Sequence, residues 1–156
     1  MGYETLEEDD VNRLYTRISK FLSYILRHHP ERFNIKLDTE GYTNLNTIVN
    51  LVDDKFPNHL IDECTIKDVI RVSEKRRFEI VSDKIRAFYG HSIKNKIKMQ
   101  KAGYVLEKLF HGTNSKAYEK IEKEGLQRKS RQYVHLSESV ETAYSVGKRR
   151  AENPNI

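Results

Sequence analysis

The chain has 156 residues, 37% hydrophobic and 33% charged, with a net charge of +5. That length suits one ordinary domain or two small lobes, and the apolar runs are far too short for a membrane span. The single cysteine, Cys64, excludes an internal disulfide and fits a reducing cytoplasm, and no His-x-x-x-His or Cys-x-x-Cys spacing points to a metal.

Met1 to Asp10 is acidic and lacks the apolar stretch of a secretory signal. Asp9 or Asp10 can cap a first helix over about Val11 to Arg27, in which Val11, Leu14, Ile18, Phe21, Leu22 and Ile25 recur at three- and four-residue steps. Leu26-Arg27-His28-His29-Pro30 closes it. Pro30 cannot continue a helix and biases His29 away from helical geometry, so a guanidinium and an imidazole are held where a buried helix stops. Arginine offers a planar fork of donors that matches phosphate, and histidine adds a donor or a proton carrier. Basic residues in a last turn also complement the helix dipole, and that simpler role accounts equally for this pair in isolation.

Phe33 to Leu37 alternates like a short strand, followed by a turn at Asp38-Thr-Glu-Gly41 and a strand piece at Tyr42. Asn44 can cap a second helix with Leu45, Ile48, Val49 and Val52 on one face. Thr65 to Asp68 reads as a capping box opening a third helix, with Ile66, Val69 and Ile70 inward. Arg77 to Val81 and Ile85 to Phe88 then alternate like a hairpin across Ser82-Asp83-Lys84. Three helices and a hairpin are the layout of a winged helix, a nucleic-acid-binding architecture. Gly90-His91-Ser92 follows, either a tight turn or a ligand contact.

A lysine-studded connector, Lys94 to Lys101, opens the second half. Eleven Lys or Arg against four Glu between Ile93 and Arg131 give a local +7, which suits a polyanion or a pyrophosphate as well as it suits a solvated loop. Leu106 to Phe110 reads as a strand running into His111-Gly112-Thr113, where glycine permits close approach of a flat ligand and His and Thr supply hydrogen bonds. A structural histidine in a tight turn explains the same residues. Asn114 or Ser115 can cap a helix from about Ser115 to Glu124, with Ala117, Tyr118 and Ile121 inward and Gly125 as its left-handed stop. Tyr133 to Leu136 reads as another strand, and Ser137 and Glu138 as the start of a helix carrying Val140, Ala143, Tyr144 and Val146. A polar tail with no further strand completes the chain. His135 can face a core or a ligand.

Six stretches in order resemble the Tpt1/KptA family of RNA 2'-phosphotransferases. They are Ser19-Lys-Phe-Leu-Ser-Tyr-Ile-Leu-Arg-His28, Asp38-x-x-Gly-Tyr42, Lys75-Arg-Arg-Phe78, Ile85-Arg-Ala-x-x-Gly-His-Ser92, His111-Gly-Thr113 and Arg131-x-x-Val-His-Leu-Ser137. The likeness runs from about Arg17 to Arg150. It implies an α+β protein with an N-terminal winged-helix RNA-binding lobe (residues 1–95) and a C-terminal NAD-binding, ADP-ribosyltransferase-like lobe (residues 96–156). The second lobe would be truncated at its C-terminal end, because family members continue with further strands.

The implied reaction moves an internal 2'-phosphate, of the tRNA splice-junction type, from RNA to NAD+ through an ADP-ribosylated RNA intermediate. It yields 2'-hydroxyl RNA, nicotinamide and ADP-ribose 1'',2''-cyclic phosphate. NAD+ would be the co-substrate, with no metal, and the partner a tRNA-like RNA bearing a 2'-phosphate, met by a monomer in the cytoplasm. The family's phosphate-handling and catalytic groups match Arg27, His28, Arg77 and Arg131, with Arg76 competing for the third place. Cofactor contacts would come from His111, Gly112, Thr113, His135, Leu136 and Ser137, and RNA or phosphate contacts also from Gly90, His91 and Ser92. His28 would move a proton while Arg77 and Arg131 neutralise charge building at phosphorus. Two other readings remain: a winged-helix module that binds nucleic acid without catalysis, and an ADP-ribosyltransferase acting on terminal phosphates of RNA or DNA.

Overall fold

The computed structural model describes residues 8–101 and 103–156. Most of the acidic N-terminal stretch, Met1 to Glu7, lies outside the described residues. Among those described are five α-helices and one three-stranded antiparallel sheet, an α+β protein, and no helix is long and apolar enough to cross a membrane. Packing divides the chain after Met99, and the second unit runs from Gln100 to Ile156.

In the first unit, α1 is described over Glu8–Arg27, so Asp9 and Asp10, expected as caps, lie within the helix, near an N-terminal end where acidic groups complement the dipole. Leu14, Ile18, Leu22, Ile25 and Leu26 face the core, the last four fully buried. His29 leaves the helix at φ −138°, and the 3-10 turn Pro30–Phe33 follows. The expected strand over Phe33 to Leu37 does not form. Asn34 is left-handed (φ 53°) and the Ile35 N–H bonds Pro30 O at 2.9 Å, so the donors a strand needs are spent on closing a turn that drives Ile35 into the core.

The Asp38 to Gly41 turn is present. The Asp38 carboxylate accepts the N–H groups of Glu40 (3.0 Å) and Tyr42 (2.9 Å), and Gly41 takes φ +87°. The strand piece falls one residue later than expected, as β1 (Thr43–Asn44). Asn44 caps α2 (Leu45–Lys55) by accepting the Thr47 N–H at 3.0 Å. The third helix, α3 (Glu63–Arg71), begins earlier than the sequence signal placed it. The capping box is Asp62 with Thr65, whose N–H reaches the Asp62 carboxylate at 2.8 Å, rather than Thr65 with Asp68. An aspartate one turn before Ile66 fills the cap that Thr65 would otherwise occupy.

The hairpin pairs β2 (Phe78–Val81) with β3 (Lys84–Ala87) across Ser82-Asp83, with Ser82 left-handed at φ 54°. The sheet order is β1-β3-β2. One continuous core joins α1, α2, α3 and the inner residues of the hairpin, Phe78, Ile85 and Ala87. The segment after β3 is irregular, but Ile97 is 2% exposed and the Lys98 N–H bonds Thr39 O at 2.8 Å, fastening it to the Asp38 turn.

In the second unit, α4 (Ser115–Glu124) has the expected bounds, capped by Asn114 on the Ala117 N–H and stopped at Gly125, which takes a positive φ (+76°) with ψ 174°, an extended exit in place of the left-handed helical stop expected. None of its residues is buried, and Tyr118, expected inward, is 41% exposed with its hydroxyl on Glu122. The expected strands at Leu106 to Phe110 and Tyr133 to Leu136 reduce to one antiparallel bridge, Phe110 with Ser137, through two 2.8 Å hydrogen bonds. Leu106, Val134 and Leu136 lie on the surface, so no buried face extends the ladder.

Helix α5 (Val140–Gly147) begins after the cap Ser139, two residues later than expected, because the Ser139 hydroxyl takes the Thr142 N–H. Of its apolar residues only Ala143 is buried, while Val140, Tyr144 and Val146 are exposed. The polar tail forms no strand but returns: Asn155 and Thr113 exchange two hydrogen bonds of 2.8 and 2.9 Å.

Candidate functional site

The residues of interest fall in both units, and each unit presents its own set. In the first, Arg27 is the last residue of α1 and 8% exposed, an uncommon burial for an arginine. Its guanidinium carbon lies 4.8 Å from the ring centre of Tyr89 and 5.5 Å from that of Phe78. Aromatic faces attract a guanidinium through the ring quadrupole, and contact on the faces of the planar group directs its N–H donors along its edges.

His28 comes next, its Nδ1 2.8 Å from the Ser92 hydroxyl. The Ser92 N–H bonds Arg27 O at 2.9 Å, so one residue of the Gly90-His91-Ser92 segment grips both members of the Arg-His pair. His29 belongs to a different environment. Its Nδ1 lies 3.2 Å from the Glu31 carboxylate and its ring 4.8 Å from that of Tyr24. The two adjacent histidines therefore have separate partners.

Gly90 takes φ +88°, a backbone conformation that costs glycine nothing and most residues a great deal. That turn drives His91 inside, 3% exposed, and brings Ser92 back to the surface. Burial, followed by the charges of Arg27, His28 and Arg86, lowers the His91 pKa to about 4, so its ring is neutral at physiological pH. Its Nε2 has no hydrogen-bond partner and lies where Gly41 leaves room: a β-carbon at position 41 would stand 3.5 Å from it.

Arg76 and Arg77, just before β2, have different partners. Arg77 donates to the Ser73 hydroxyl at 2.8 Å and is half-buried, directly before Phe78. Arg76 is exposed, 4.6 Å over the Phe88 ring and 3.4 Å from Glu79. Arg76 thus joins a cluster that sequence reading did not single out. Arg86 binds the Glu79 carboxylate at 2.7 and 2.8 Å and lies over Tyr42 and Phe88, and the Tyr42 hydroxyl donates to Glu79 at 2.7 Å. These bonds, the Tyr42 hydroxyl first, hold Glu79 below the usual carboxylate range, while burial and then Glu79 push the Tyr42 hydroxyl up. The available signal was register, since Glu79 and Arg86 sit directly opposite in the hairpin. Tyr89 and Phe78, the two faces beneath Arg27, were also missed as partners of the guanidinium. An aromatic beside the motif glycine was the cue.

In the second unit, the His111 Nδ1 donates to His135 O at 3.0 Å, which fixes the ring and, in its neutral form, leaves Nε2 as an acceptor. Gly112 is required sterically: a β-carbon there would stand 2.0 Å from Ala143 O. The Phe110 to Ser137 bridge lies on one side of His111 and the Thr113 to Asn155 bridge on the other, so His111, Gly112, Thr113, His135, Leu136 and Ser137 gather in one place. Leu136 is 44% exposed beside them. Arg131 is exposed in a turn closed by its own N–H on Arg128 O (3.2 Å), with the Arg128 side chain on Arg131 O (3.3 Å).

Comparison with known proteins adds an independent observation. The family model described as "RNA 2'-phosphotransferase, Tpt1 / KptA family" matches residues 13–156. A protein of Acetivibrio thermocellus named "Probable RNA 2'-phosphotransferase" is 42% identical over 141 residues, 90% of this chain and 76% of that protein. One of the same name in Bacillus thuringiensis is 40% identical over 144 residues (92% and 77%), and one in Pyrococcus abyssi 39% over 137 (88% and 73%).

Proposed function

Since the chain belongs to the Tpt1/KptA family of RNA 2'-phosphotransferases, and is thus a transferase acting on RNA, we propose that it moves an internal RNA 2'-phosphate, of the kind left at a ligated tRNA splice junction, to NAD+. The observation that carries this reading is the end of α1, where a buried guanidinium on two aromatic rings stands next to an imidazole held through Nδ1. We assign the first unit as a winged-helix RNA-binding lobe, supported by its three helices and the β2–β3 hairpin. The second we assign as an ADP-ribosyltransferase-like lobe.

A 2'-phosphomonoester carries roughly −1.5 to −2 charges at neutral pH and is already a nucleophile. What it needs is orientation. Arg27, pinned by Phe78 and Tyr89, grips phosphate oxygens edge-on with paired N–H donors and Arg77 shares the remaining charge, while Arg131 keeps the catalytic role that the family resemblance implies. Arg77 is preferred to Arg76 because Arg76 is engaged with Glu79 and Phe88. His28 carries the proton in the step that frees the RNA 2'-oxygen, and the arginines stabilise charge building at phosphorus.

The His111 region fits a ribose, because its fixed ring in the neutral form offers an acceptor at Nε2 to a hydroxyl donor; the space left by Gly112 is taken by Ala143 O of α5 and not by a ligand. NAD+, as co-substrate, supplies an electrophilic anomeric carbon with neutral nicotinamide as leaving group, and the overall products would be 2'-hydroxyl RNA, nicotinamide and ADP-ribose 1'',2''-cyclic phosphate. The work would be done by a monomer in the cytoplasm.

The test is to incubate the protein with NAD+ and an oligonucleotide bearing one internal 2'-phosphate, following formation of nicotinamide and of ADP-ribose 1'',2''-cyclic phosphate together. Equal amounts of both are expected, and Arg27→Lys should lower turnover at least about a hundredfold because the fork is lost while the charge is kept. Tight RNA binding with neither product would identify a non-catalytic module. A persistent ADP-ribose on a terminal phosphate would identify a different acceptor.

A further inference from the structure

We propose that Ser92 is a positioning residue for His28, holding the imidazole through Nδ1 so that proton exchange takes place at Nε2. This assigns Ser92 to the enzyme's own scaffold in place of the phosphate contact the sequence implied, and it rests on the role proposed above for His28. Two bonds carry it. The Ser92 N–H takes Arg27 O at 2.9 Å, and Arg27 O is one of the last carbonyls of α1, which the helix itself cannot satisfy. The Ser92 hydroxyl lies 2.8 Å from His28 Nδ1. A residue 64 positions away thus fixes both the backbone before the imidazole and the ring itself.

The segment is built to do this. Left-handed Gly90 turns the chain, and His91, seated inside against Gly41, anchors it so that Ser92 emerges at the helix end. Burial holds His91 neutral, so the anchor adds no positive charge beside Arg27 and His28. A hydroxyl suits the task because its oxygen accepts the Nδ1–H bond without carrying a charge. It accepts from Nδ1–H both in the neutral tautomer, whose Nε2 is bare, and in the imidazolium, so the orientation survives gain and loss of a proton at Nε2. A carboxylate in its place would favour the imidazolium strongly and hinder the return of the proton.

The experiment uses the full chain with 15N-labelled histidine, assigning the His28 signals by their loss in His28→Gln. In the parent protein the His28 ring nitrogens should report one fixed tautomer. In Ser92→Ala they should move to the averaged shifts of an unrestrained imidazole, and in Ser92→Thr, which keeps the hydroxyl, they should not. Kinetically, Ser92→Ala should lower kcat about tenfold or more, with KM for RNA and NAD+ within about twofold, and Ser92→Thr should restore most of it. Unchanged His28 signals in Ser92→Ala would overturn the proposal. So would a rise in KM for RNA at constant kcat, which would make Ser92 a substrate contact. Absence of turnover in the parent protein would count against the proposed function alone, because the ring signals still decide the role of Ser92.

Discussion

The two units hold their functional residues by different means. In the first, seventeen buried apolar side chains from three helices, a hairpin and the segments between them form one core, and Arg27 and His28 stand at the end of its longest helix. In the second, Ala143 is the only buried hydrophobic residue among those described, and His111 is placed by two backbone bridges, a carbonyl contact and a glycine. Burial is cooperative and tolerates changes of shape at its margins, whereas placement by bridges and close approach depends on a few atoms. The first unit should therefore resist surface change and fail when its core is hollowed. The second should fail at single backbone positions.

The largest expected effect probes the first half of that contrast. Leu26→Ala empties a fully buried position beside Arg27 and should cost about 2–5 kcal/mol of stability in denaturant titration. A loss under 1 kcal/mol would show that the core does not bear on the helix end.

The next is electrostatic. The His91 pKa of about 4 lies below its ordinary value of 6.5, so between these values the unfolded chain binds the proton first. Stability should be complete above pH 6.5 and fall by up to about 3 kcal/mol as the pH drops to 4, with no further loss from this group below that. A His91→Gln variant should lose this part of the pH dependence when unfolding midpoints are compared from pH 4 to 7.

The smallest probes the second unit. Gly112→Ala places a methyl group 2.0 Å from Ala143 O and should cost about 1–3 kcal/mol. Faster hydrogen exchange at the Thr113 and Asn155 amides, which form the adjacent bridge, would report it, and unchanged exchange there would remove the distinction drawn between the units.

Legibility followed the same division. The helices of the first unit could be read because a buried face repeats every three to four residues, and Asn44 and Asn114 announced their helices because a cap is a local bond. Phe33 to Leu37 misled, since alternation cannot reveal that Asn34 turns left-handed and spends the strand's donors on Pro30. Leu106 to Phe110 and Tyr133 to Leu136 misled for the complementary reason: strand-like composition becomes a strand only where a neighbour buries one face.

The sequence alone determined the ends of things. Proline after Arg-His fixed where α1 stops, Gly41 and Gly125 marked two of the positive-φ positions, and the ordered motifs carried the family. Only the tertiary structure decided which side chains meet: Ser92 on His28, Tyr89 and Phe78 under Arg27, Arg77 on Ser73 while Arg76 lies on Phe88, Glu79 claimed by Arg86 and Tyr42. Caps and turns are settled by bonds between residues a few positions apart, which a linear pattern records. A contact across 64 residues exists only because a core has brought a hairpin and a helix end together, and no local pattern encodes that meeting.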